Sequence, residues 1–168
     1  ITKTISRSLD LDEVINLVMD TLGSLLPYSA AGIYLIEDDE KGESPYIFKS
    51  KTIRGYDISF ELVEPRLKLG EGFIGFVAQT GKPIICHDVH QDPRYYKARE
   101  QTRSEMVAPI ISNDKVIGVF DLESNEVDAY TDDDLQVLNL LASQVAIIIE
   151  KAELHEQLIE KKRIQAQL

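Results

Sequence analysis

Cys86, His87, Asp88, His90 and Asp92 crowd into one short stretch of this chain, CHDVHQD, and bring together a thiol, two imidazoles and two carboxylates. Such a set can hold zinc when three or four members converge. A Cys–His pair can also make an activated nucleophile. Both uses need side chains that meet, and neighbours on a strand point to opposite faces. Cys86 and His87 therefore diverge, and the string reads as a strand running into a loop. No metal ligand and no catalytic residue is assigned from it, and Cys86 reads as a small buried hydrophobe.

Gly70, Gly72 and Gly75 precede it in G-x-G-x-x-G spacing, with Asp88 and Asp92 following at about the dinucleotide-site distance. A dinucleotide site needs a buried strand before the glycines and a crossover helix after them. Here the preceding piece is only Arg66–Leu69. Gly81 and Pro83 stop the following helix, which runs from about Phe73 to Thr80. Two turns are too few for a crossover.

The elements around these motifs are legible from periodicity. A first helix carries Leu11, Val14, Ile15, Val18, Leu22, Leu25 and Leu26 along one stripe, with Asp10 as its cap, Glu13 at the third helical position, Leu9 stapled to Val14, and Pro27 as its end. Ala30–Ile36 and Tyr46–Arg54 read as strands of an antiparallel hairpin joined by the polar turn Asp38–Gly42. A loop, Asp57–Pro65, leads to the glycine-rich segment. Ile84–Cys86 is a short strand, and a short helix is expected around Tyr96–Glu100. Met106–Ile111 and Val116–Leu122 flank Asn113-Asp114 as a second hairpin. Thr131 caps a long final helix whose first turn holds Asp132, Asp133 and Asp134 and whose stripe is Leu135, Leu138, Leu141, Val145, Ile148 and Ala152. The fold class is α+β: a central antiparallel sheet with the terminal helices on one face and loops and short helices on the other.

At 168 residues, 43% hydrophobic and 28% charged, the composition is that of one ordinary globular domain. The formal charge of −11, from 29 acidic and 18 basic residues, argues against nucleic acid, which needs clustered Lys and Arg. The one basic run, Lys161-Lys162-Arg163, suits a solvated helix face. No uninterrupted apolar run is long enough to span a bilayer, so direct membrane insertion is not expected. A single cysteine fits a reducing, cytoplasmic setting. Ile1 is not an initiator, which suggests a segment of a longer protein.

Read in order, Gly70-Glu71-Gly72-Phe73-Ile74-Gly75-Phe76-Val77, Gly81-Lys82-Pro83, Asp88-Val89-His90-Gln91-Asp92-Pro93-Arg94-Tyr95 and Ser104-Glu105-Met106-Val107-Ala108-Pro109-Ile110 resemble the motif series of GAF domains. Gly118–Leu122 and Tyr130–Leu135 extend the resemblance over nearly the whole chain. It implies a small-molecule-sensing regulatory module of a bacterial-type signalling protein, with a ligand pocket on the covered sheet face and the terminal helices packed as a dimer bundle. On that resemblance the domain is residues 1–153, and 154–168 is a helical extension with Leu154, Leu158, Lys161, Gln165 and Leu168 at coiled-coil spacing.

Specialised branches of that family are tested by their residues. Free methionine-R-sulfoxide reductases work through cysteines where this chain has Ile74 and the Arg94–Arg99 region. Bilin-binding members attach a chromophore through a cysteine where it has Tyr95 and Tyr96. The cyclic-nucleotide pattern is degraded here, at Glu126 and Leu135. What remains is a generic pocket of Phe73, Ile74, Phe76, Val89, Tyr95, Tyr96, Met106 and Ala108, with Arg99 and Arg103 (and Arg94) as counter-charges for an anionic ligand. The expectation is a non-enzymatic domain that binds an unidentified small molecule. Its cofactor is unknown, and it relays its state through a homodimeric helical stalk to an output domain in the same polypeptide. A ligand-free dimerisation module and an enzyme on the same scaffold, disfavoured by the missing cysteines, are the alternatives.

Overall fold

The computed structural model describes residues 3–37, 47–56, 70–97 and 99–167, with backbone alone for residues 3–10 and 47–51. The Asp38–Gly42 turn, Tyr46, the Asp57–Pro65 loop, Arg66–Leu69 and Leu168 lie outside the described residues. Along the chain come α1 (Lys3–Leu25), β1 (Ala30–Glu37), β2 (Ile47–Arg54), α2 (Gly72–Thr80), β3 (Ile84–Cys86), a single 3-10 turn (Val89–Gln91), β4 (Ser104–Ser112), β5 (Lys115–Ser124) and α3 (Asp132–Ala166). The strands form one sheet in the order β2-β1-β5-β4-β3. Every pairing is antiparallel. This is the α+β layering expected from antiparallel hairpins with helices at both ends of the chain.

Helices α1 and α3 cover one face. Ile15, Met19 and Leu22 of α1 and Leu138, Leu141, Val145 and Ile149 of α3 pack on Ala31, Ile33, Met106, Ala108, Ile110, Phe120 and Leu122 of the strands. The buried positions of α1 recur every three or four residues, as a helix on a flat sheet requires. Val14 and Leu25, expected in that stripe, are 37% and 57% exposed. Asp10 does not cap α1, because the helix already begins at Lys3. By length and composition α3 is also long and apolar enough to cross a bilayer, but its core-facing leucines and valine are committed to the sheet.

The opposite face carries α2, whose Phe73, Val77 and Ala78 cluster with Tyr34, Ile84, Cys86, Val107 and Val119. Gly81 ends α2 in the left-handed region at φ 69°, its N–H bonded to the Val77 carbonyl at 2.8 Å. Asn113 and Asp114, at φ 51° and 63°, form the two-residue turn between β4 and β5. Thr131 and Asp134 exchange side-chain bonds with each other's backbone N–H at the start of α3. No helix forms among the described residues of Tyr96–Glu100. That segment instead directs Arg99 to Thr102 and Asn125, and the local helical turn falls earlier, where Asp88 accepts from the His90 N–H.

Candidate functional site

Pleating decides which side chains enter the space under α2. On β4, Glu105 and Val107 point to that face while Met106 and Ala108 point to the helix core. On β5, Val119, Asp121 and Glu123 do the same, alternating with Phe120 and Leu122. The register then lines up Cys86, Glu105 and Glu123 in one row across β3, β4 and β5. Val107, Asp121 and Gly32 form the next row.

Glu105, Asp121 and Glu123 are thereby brought together, with carboxylate oxygens within 4.8 Å of one another. They are only 5%, 1% and 2% exposed. Among the described residues no lysine or arginine forms an ion pair with any of them. Hydroxyls bond two of them, Glu123 and Asp121. Thr102 donates to Glu123 Oε1 at 2.9 Å, and Arg99 donates to Thr102 Oγ1 at 3.0 Å and to Asn125 at 3.1 Å. The Tyr56 hydroxyl lies against Glu123 Oε2 and Asp121 Oδ2, the latter at 3.2 Å. Asp121 Oδ1 is buried without a hydrogen-bond partner.

Gathering three carboxyl groups away from water favours their neutral forms. Burial, then the Asp121 and Glu123 charges, holds Glu105 well above the usual carboxylate range. Burial and then Asp121 push Glu123 up to about 8. Asp121 is raised by burial, but hydrogen bonds from Glu105, Glu123 and Tyr56 oppose the rise. Hydrogen bonds thus favour the charged form most at the central Asp121, between two groups that burial holds toward their neutral acids. An all-oxygen set of this kind suits an ammonium group or a hard divalent cation.

The residues singled out by sequence are distributed around this cluster. Phe73 and Val89 are buried in the α2-side core, and Ile74, Phe76 and Tyr95 pack against it. Tyr96 is half exposed. Arg94 lies 4.7 Å from the Phe76 ring centre and 5.5 Å from that of Phe73. Asp92 engages it in a two-point pair at 3.0 and 2.7 Å, which neutralises it as a counter-charge. Arg103 faces Asp88 at 3.7 Å. Met106 and Ala108 do not share this face: they are completely buried in the α1–α3 core, one pleat out of phase with Glu105 and Val107.

Within the CHDVHQD string, Cys86 is buried while His87 sits exposed beside Asp128 at 3.2 Å. Burial, and then the Asp92 carboxylate, raise the Cys86 thiol. Cys86 nonetheless stands directly across the strand pair from Glu105. The sequence reading missed the carboxylate trio, Thr102 and Tyr56. A signal was present: Glu105, Asp121 and Glu123 interrupt strands whose two faces were both expected to be covered.

The GAF domain profile matches residues 8–150. The free methionine-R-sulfoxide reductase of Escherichia coli is 27% identical over 119 residues, which are 71% of this chain and 65% of that enzyme. The Nif-specific regulatory protein of Herbaspirillum seropedicae is 26% identical over 97% of this chain, which spans 31% of the regulator's length. The type II free methionine-R-sulfoxide reductase from Thermoplasma acidophilum superposes with a TM-score of 0.73 at 20% identity, covering 86% of this chain and 96% of that one. The expectation of a non-enzymatic domain is corrected by these relatives, since two of the three are enzymes on this scaffold. With the profile matched over most of its length, this chain belongs to the GAF domain family.

Proposed function

We propose that this domain acts on a small amino acid of the free methionine sulfoxide class, held over Glu105, Asp121 and Glu123. The observation that carries the reading is the buried trio itself, which offers an anion for an ammonium group and acids that can donate to an S=O oxygen. Its setting fits, since Cys86, the single thiol of the sequence, is the cross-strand neighbour of Glu105.

Reduction by one thiol balances as follows. The Cys86 sulfur takes the oxygen, becoming a sulfenic acid that retains the thiol's proton, and the sulfoxide leaves as a thioether. Two thiol groups of an external dithiol then reduce the sulfenic acid to Cys86 thiol, with a disulfide and water as products. Because burial keeps Cys86 protonated, Glu105 serves as the acid that polarises the S–O bond while sulfur attacks.

The test is turnover of free methionine-R-sulfoxide with dithiothreitol, alongside calorimetric binding of the same compound. Cys86→Ser is expected to keep binding and lose turnover, and Asp121→Asn to lose both. Binding without turnover by the unmodified protein would sink the enzymatic part and leave a ligand site. Absence of binding would sink the whole reading.

A second reading is favoured by α3, which continues past its last core contact, Ile149, to Ala166 with Leu154, Leu158 and Ile164 about half exposed. In this reading a second copy covers that surface, and pocket occupancy is relayed along α3 to an output domain, as the match to the Nif-specific regulatory protein suggests. Sedimentation of the purified domain is the check. A monomer at high concentration would overturn it.

A further inference from the structure

The hydroxyls around Glu123 are arranged for two protonation states. Arg99 donates to Thr102, so the Thr102 hydroxyl hydrogen is directed at Glu123 Oε1. The Tyr56 hydroxyl, also bonded to the Tyr34 hydroxyl, has one hydrogen for which Glu123 Oε2 and Asp121 Oδ2 compete. When Glu123 is protonated on Oε2, it donates to Tyr56, which donates to Asp121. When Glu123 is ionised, Tyr56 turns its hydrogen to Glu123 and leaves Asp121 one donor short. Asp121 already has Oδ1 without a partner. A ligand donor at Asp121 would fill both vacancies.

We propose that Glu123 is a proton-release switch: a cationic group seated at Asp121 expels one proton from Glu123, and the Tyr56 hydroxyl turns from Asp121 to Glu123 to receive the new charge. The proton passes to solvent, and the pocket exchanges one positive charge for another. This deepens the reading above, on which it rests.

Other groups facing the trio do not compete for that role. Tyr34 of β1, Tyr95 before β4 and Tyr130 before α3 are all driven upward, first by burial, and stay neutral. Cys86 on β3 is raised likewise. Glu105 is held well above the usual carboxylate range, first by burial, and Glu123 is pushed up to about 8. A unit charge about 4 Å away lowers a neighbouring carboxyl by about three pKa units at an effective dielectric of about 20. That is enough to ionise Glu123 at neutral pH.

The experiment is isothermal titration of free methionine-R-sulfoxide into the domain at pH 7, in phosphate and in Tris, whose ionisation heats differ. Release of close to one proton per site is expected. Affinity should rise nearly tenfold per pH unit from about 6 toward 8 and then level off. Thr102→Val, which removes a donor to ionised Glu123, should move the level region to higher pH, whereas Thr102→Ser should not. Binding with buffer-independent heat would overturn the switch while leaving the pocket reading intact. Absence of binding at every pH would overturn both.

Discussion

The two faces of the sheet are built by the same strands and have opposite energetics. On the α1–α3 side, Met106, Ala108, Phe120 and Leu122 are fully buried among apolar neighbours. One residue away on each strand, Glu105, Asp121 and Glu123 are buried almost as completely, among hydroxyls and one another. Burial on the first face stabilises the fold at roughly 25 cal/mol per Å² of apolar surface. Burial on the second disfavours charge and stabilises nothing without protons, hydroxyl donors or a cation. The contrast separates the face that holds the domain together from the face that gathers buried acids.

The largest expected effect lies on the apolar face. Leu122→Ala should reduce unfolding free energy by about 2–5 kcal/mol, since it leaves a cavity between β5 and the helices. Urea denaturation measures it. A loss below about 1 kcal/mol would erase the distinction between the faces.

The pH dependence comes next and belongs to the carboxylate face. Glu105 and Glu123 have folded pKa values raised above the unfolded value of about 4.3. The folded state therefore binds more protons in the window between, so their contribution is present below about pH 4.3 and declines as pH rises. For Glu123 the decline ends near its folded value of about 8, at a slope approaching 1.4 kcal/mol per pH unit for each extra proton bound. Glu123→Gln should flatten the fall in stability between pH 5 and 8. An unchanged slope in that variant would show that Glu123 does not titrate in this range.

Tyr56→Phe sharpens the comparison further. Loss of the hydroxyl shared by Asp121 and Glu123 should destabilise by about 1.5–3 kcal/mol, since its hydrogen goes to one buried carboxylate or the other. A loss below about 0.5 kcal/mol would mean that the hydroxyl serves packing alone. The smallest effect is expected away from both faces. Thr131→Ala, at the cap of α3, should cost about 1 kcal/mol at every pH, which makes it a control for the Glu123 and Tyr56 variants.

Much of the fold was legible because its signals are local. Asn113-Asp114 demands a two-residue hairpin through its left-handed backbone, Gly81 stops α2, and Thr131 with Asp134 starts α3. The site was legible only in part. Phe73, Val89 and Tyr95 were placed on the covered face by their segments, but Met106 and Ala108 were assigned there without regard to the pleat. Glu105, Asp121 and Glu123 were passed over because each looks like an ordinary strand charge until both sheet faces are seen to be covered.

The sequence by itself determined the element types, the family and the presence of a single thiol, since these depend on residue identity and short-range spacing. Only the tertiary structure decided that carboxylates on different strands would share one buried site, with Cys86 beside it. That outcome depends on strand register, and a slip of one residue in β5 would have turned Asp121 and Glu123 into the helix core.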